Sequence, residues 1–153
     1  PPCLRLYGRH SRRVVVAART LGGYQISLCD TVGVGTPVKA QAMVNAVAEV
    51  VSIGKLAVHF HDTYGQALAN IFASLELGVT VIDSAVAGLG GCPYAPGSAG
   101  NVATEDLLFM LDGMGIHTGV NLDGVVDVGN FICGFLDRLP ASKVACAYGT
   151  RSH

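Results

Sequence analysis

Tyr24-Gln25-Ile26-Ser27-Leu28-Cys29-Asp30-Thr31-Val32-Gly33-Val34-Gly35-Thr36-Pro37 is the stretch that decides the fold class. Its first six residues predict a short strand. Asp30-Thr31 and a glycine-rich turn end that strand. Thr36-Pro37 then offers an N-cap residue followed by proline at the first helical position, where its missing N–H costs nothing. Ala40, Met43, Val44, Val47, Val50 and Val51 follow at spacings of three and four, the pattern of an amphipathic helix.

The same alternation recurs along the rest of the chain. Residues 56–61 read as a second strand. Leu68, Ile71, Phe72 and Leu75 trace a second helix, with Gly78 at its end. A third strand begins over 79–82, a glycine-rich stretch spans 88–100, and helices are predicted over about 102–111 and 122–136. Strands alternating with helices imply βαβ units and a parallel sheet. Three strands alone cannot close, and a complete (β/α)8 barrel needs about 250 residues. The sheet is therefore a small open one or a piece of a barrel. The domain reading is an irregular segment over 1–20, a domain over 21–146 and a tail over 147–153.

The 153 residues are 50% hydrophobic and 14% charged, with a net charge of −1. That balance excludes a disordered chain and leaves no basic footprint for nucleic acid. Arg5, Arg9, Arg12 and Arg13 cluster near the start but are not interleaved with aromatics. The longest uncharged run, 84–104, carries glycines and prolines and reads as a loop rather than a membrane span. The five cysteines have no CxxC pair and read as mostly buried free thiols.

The polar residues with chemical potential fall at strand ends: Asp30 after the first, His59, His61 and Asp62 at the second, Asp83 at the third. In parallel α/β folds the carboxyl ends of the strands carry the site. His59 and His61 are two apart, so on a strand both rings face one way and Phe60 the other. Two such imidazoles can share one cation, or simply line a pocket through hydrogen bonds. Oxygen donors beside them would favour a hard octahedral ion, Mg2+ or Mn2+, over a structural zinc. Cys92 lies in Gly88-Leu89-Gly90-Gly91-Cys92-Pro93-Tyr94, an accessible setting for a reactive thiol or for an ordinary loop cysteine. Asn101 precedes a helical run, as an N-cap or as an amide ligand. Glu105 and Asp106 suit the dipole of that helix's first turn.

Four segments together resemble hydroxymethylglutaryl-CoA lyases: residues 26–37, 57–67, 84–94 and 100–106. The His59-Phe60-His61-Asp62 element is shared across the wider metal-dependent aldol and Claisen superfamily, whereas the Gly88–Tyr94 loop is more specific to the lyases. The resemblance implies the C-terminal portion of a TIM barrel, three to four β/α units, with the first strands absent. It implies that His59, His61 and Asn101 bind Mg2+ or Mn2+, that Cys92 is the catalytic cysteine on a mobile loop, and that Asp30 is a site aspartate near the substrate. The family's metal-binding aspartate and neighbouring arginine, carried on its first strand, have no counterpart here. Cys29 stands where the family usually has glycine.

The expected reaction is cleavage of 3-hydroxy-3-methylglutaryl-CoA to acetyl-CoA and acetoacetate. An acyl-CoA is the expected substrate, a homodimer the expected assembly of the full-length protein, and neither nucleic acid nor membrane is expected as a partner. The setting would be the mitochondrial matrix in a eukaryote or the cytoplasm in a bacterium. A related condensing enzyme of the isopropylmalate synthase kind is one alternative, and an inactive barrel fragment is another.

Overall fold

The computed structural model describes residues 4–5, 23–91 and 100–149. The chain forms two compact units, Pro1–Asp83 and Ser84–His153.

The first unit is a parallel sheet in sequential order, β1 (Leu4–Arg5), β2 (Ile26–Asp30), β3 (Leu56–Phe60) and β4 (Val81–Asp83). Helix α1 (Pro37–Ala48) links β2 to β3, and α2 (Ala67–Leu75) links β3 to β4. Parallel neighbours require such crossovers. Strand β1 lies within the segment read as irregular; only its pairing partner, Leu28 and Cys29 of β2, reveals it, because two residues carry no periodicity. Leu28, Leu56, Val58, Phe60, Val44, Val47 and Ile71 are buried to 2% exposure or less. Each such side chain stabilises the fold by about 1.5–3 kcal/mol relative to leaving it in water.

Helix α1 begins where expected. Thr36 occupies the N-cap position without a side-chain hydrogen bond, so Pro37, with its preset backbone, marks the start. Helix α2 is rotated from its predicted face. Phe72 is 44% exposed, while Asn70 and Ser74 are buried. Burial of these polar residues is supported by hydrogen bonds: Asn70 Nδ2 donates to the Gly35 carbonyl at 3.2 Å, and Ser74 Oγ donates to the Asn70 carbonyl at 2.8 Å.

The second unit holds a short 3-10 turn at Val86–Gly88, then α3 (Thr104–Gly113), α4 (Leu122–Phe135) and α5 (Lys143–Gly149). Leu107, Leu108 and Leu111 of α3, Val126 and Cys133 of α4, and Ala145 of α5 are among its buried apolar side chains. Asn121 caps α4, its Oδ1 accepting the Gly124 N–H at 2.6 Å. Helix α5 was not expected. Asp106 of α3 starts it, accepting hydrogen bonds from Ser142 Oγ and from the Lys143 and Val144 N–H groups. A cap supplied 36 residues away leaves no local signature. Cys133 and Cys146 are free thiols, whereas Cys29 is disulfide-bonded, a departure from the free-thiol expectation. No helix among the described residues is long and apolar enough to cross a membrane.

Candidate functional site

The end of β3 delivers two imidazoles to one side. Phe60 is 2% exposed in the core, while the rings of His59 and His61 lie with centroids 5.4 Å apart, tilted by 48°. This is the alternation a strand imposes. The register sets His59 opposite Cys29 on one neighbour and Asp83 on the other. Asp83 uses that position: its Oδ2 lies 3.5 Å from His59 Nδ1 and accepts a hydrogen bond from Ser27 Oγ at 3.0 Å. A carboxylate on one ring nitrogen fixes the ring's orientation and leaves the other nitrogen as a lone-pair donor.

His61 is buried, and its Nδ1 has no hydrogen-bond partner. Burial lowers the imidazole's pKa below the ordinary 6.5; repulsion from His59 adds to this and the Asp30 charge opposes it. A neutral ring with an unsatisfied buried nitrogen is what a ligand needs.

Asp30 closes β2 differently from a free site carboxylate. Its Oδ1 accepts the Gly33 N–H at 3.0 Å and its Oδ2 the Gly35 N–H at 2.6 Å. The turn it holds abuts β3. Gly33 has φ 74°, and a Cβ there would lie 2.6 Å from Thr63 Oγ1 and 2.9 Å from the His61 carbonyl, so only glycine fits. Asp62, the last residue of the HxHD element, turns away to accept the Ala67 N–H at 2.9 Å and secure the start of α2. A crevice at the end of β2, lined by Asp30, Thr31, Lys39, Met43 and Phe60, includes neither histidine.

In the second unit, Asn101 is not a helix cap: the N-cap of α3 is Ala103. Its Nδ2 donates to the Leu89 carbonyl at 2.9 Å, which leaves the amide oxygen as the remaining acceptor. Glu105 lies in the first turn of α3, as expected, but does more than complement its dipole. It is fully buried, and its carboxylate accepts the Ala87 N–H. Sequence reading missed this contact because the partner lies 18 residues upstream. Cys92 lies outside the described residues. Among those described, no group of three or more His, Cys, Asp and Glu side chains converges as a metal site.

A sequence family described as HMGL-like matches residues 8–132. The chain belongs to the HMGL-like family. A mitochondrial hydroxymethylglutaryl-CoA lyase of Pongo abelii is 60% identical to this HMGL-like chain over 128 residues, covering 84% of the chain and 39% of the relative. The chain thus spans well under half the length of that relative. The crystal structure of hydroxymethylglutaryl-CoA lyase from Pseudomonas aeruginosa superposes with a TM-score of 0.87 at 52% identity, covering 93% of the chain and 48% of the solved one. An HMG-CoA lyase from A. baumannii, in complex with coenzyme A and 3-methylmalate, matches with a TM-score of 0.86 at 37% identity over 93% of the chain and 47% of its own. The HMGL-like chain is α/β, and its parallel strands and crossover helices correspond to about half of a barrel, as the sequence reading expected.

Proposed function

We propose that this chain is part of a hydroxymethylglutaryl-CoA lyase that cleaves 3-hydroxy-3-methylglutaryl-CoA to acetyl-CoA and acetoacetate. The observation that carries this reading is the pair of same-facing imidazoles, one oriented by Asp83 and the other buried with an unpartnered nitrogen. Relatives named as lyases of this substrate, and the solved relative complexed with coenzyme A, support an acyl-CoA as the ligand.

The proposed site would hold a divalent cation. His59, His61 and Asn101 are its proposed ligands, two imidazole nitrogens and one amide oxygen, and the family resemblance implies Mg2+ or Mn2+ as the ion. Bound there, the ion supplies Lewis-acid polarisation of the substrate's hydroxyl and carbonyl oxygens. The chain's own residues do the rest. Asp83 holds the His59 ring in one orientation, and burial lowers the His61 pKa and so disfavours its protonation. Asp30 serves by fixing the turn against the end of β3 that bears His61. When a general base takes the substrate's hydroxyl proton, the electrons left on that oxygen form the ketone carbonyl of acetoacetate and the bond between the carbinol carbon and the thioester's α-carbon breaks. Acetoacetate departs, and the two electrons of that bond remain as the acetyl-CoA enolate. The Cys92 thiol is the proposed acid that protonates that carbon.

The names of mitochondrial relatives support the mitochondrion as the setting in a eukaryote, one rat relative being named cytoplasmic. A bacterial host implies the cytoplasm. The resemblance supports a homodimer as its assembly.

The test is acetoacetate release from hydroxymethylglutaryl-CoA with Mg2+ or Mn2+ present. The 153-residue chain alone is expected to turn over weakly or not at all. A chimaera placing it behind the upstream part of a matched lyase is expected to be active. An inactive chimaera that instead condenses acetyl-CoA with a 2-keto acid would overturn the proposal in favour of the condensing enzymes.

A further inference from the structure

Ala87 has φ 54° and ψ 16°, a left-handed conformation that a residue bearing a Cβ rarely adopts. It is completely buried. Such an outlier persists only where its surroundings over-determine it. Here the main determinant is Glu105, which presents both carboxylate oxygens to the Ala87 N–H, at 2.8 and 2.9 Å. The Ala87 carbonyl in turn accepts the Ala141 N–H at 3.0 Å. Gly129 packs against the carboxylate so closely that a Cβ would lie 2.5 Å from Oε1. Burial raises the carboxyl's pKa above the usual carboxylate range, although those N–H contacts oppose the shift. A fully buried acid is costly to keep, and dipole compensation on α3 does not require burial.

Two residues beyond Ala87, the Leu89 carbonyl receives the Asn101 amide at 2.9 Å. Gly90, at φ 111°, lies so near that a Cβ would be 2.6 Å from Asn101 Nδ2. The turn therefore decides where the Leu89 carbonyl sits, and that carbonyl decides which end of the Asn101 amide is spent. We infer that Glu105 is a positioning residue for Asn101. Its carboxylate fixes the Ala87 turn, the turn places the Leu89 carbonyl, and the carbonyl holds the amide so that its oxygen is the end left to bind. This rests on the reading of Asn101 as a cation ligand.

The test uses the lyase chimaera described above, titrated with Mn2+ by electron paramagnetic resonance and assayed for kcat and KM. Gln at position 105 would set an N–H2 group against the Ala87 N–H. Glu105→Gln is expected to weaken Mn2+ binding by about 10–100-fold and to lower kcat similarly while KM is held. Ala87→Gly, which takes φ 54° freely, is expected to restore part of both losses in the Glu105→Gln background. Should Glu105→Gln not fold, Glu105→Asp, whose carboxylate stops one carbon short, replaces it with the same expected losses. A folded variant of either kind with a lowered melting temperature but unaltered Mn2+ affinity and kcat would show a merely structural role and overturn the inference. So would a failure of Ala87→Gly to recover anything. If the unsubstituted chimaera neither binds Mn2+ nor cleaves substrate, the functional reading itself fails, a result distinct from these.

Discussion

Asp30→Ala removes a carboxylate that accepts two turn N–H groups, at 3.0 and 2.6 Å. Hydrogen bonds to a charged acceptor contribute about 1.5–3 kcal/mol each, and the half-exposed position favours the lower end, giving a loss of about 3 kcal/mol. For a chain of this size each kcal/mol moves the melting temperature by about 2–4 °C, so a fall of about 6–12 °C is expected. Asp30→Asn should fall roughly half as far, because one oxygen still accepts while the new N–H2 faces a donor. Thermal unfolding followed by far-ultraviolet circular dichroism reads both variants. A melting temperature for Asp30→Ala within about 1 °C of the unsubstituted chain would refute the claim that this carboxylate holds the turn.

Gly129→Ala would drive a methyl to 2.5 Å from buried Glu105 Oε1 and should cost about 1–3 kcal/mol by urea unfolding. Glu105 gives the chain an opposite acid response from ordinary carboxylates: its folded pKa is raised above 4.5, so its protonated form favours the folded state. Its contribution is full below pH 4.5 and is lost as pH rises through the folded value; Glu105→Gln should remove that slope from stability measured against pH. Asp83→Asn should weaken Mn2+ binding about 10-fold by loosening the His59 ring. Cys92→Ser should lower kcat for acetoacetate release about 100-fold or more with little change in Mn2+ affinity.

Much of this was legible from residue spacing. The strand–turn–helix of residues 24–37 and the two-residue spacing of His59 and His61 are local patterns, and each produced the element or shared face expected of it. The identity of the partners was not legible. Asp83 meets His59 because β4 pairs with β3 in a particular register, and register is a property of the sheet. Asn101 resembled a cap, yet its amide bonds to Leu89 twelve residues upstream. Glu105 and Asp106 lie in the first turn of α3 as expected, but both also serve backbone groups far along the chain. The rotated face of α2 has the same origin: Asn70 is buried because Gly35 offers it a carbonyl, a contact invisible to hydrophobic periodicity.

The proposed cation site is tested by Mn2+ titration of the lyase chimaera, followed by electron paramagnetic resonance. Saturable binding that is abolished by His59→Ala with His61→Ala, and weakened by Asn101→Ala, is the predicted result. Undiminished affinity after both imidazoles are removed would contradict it.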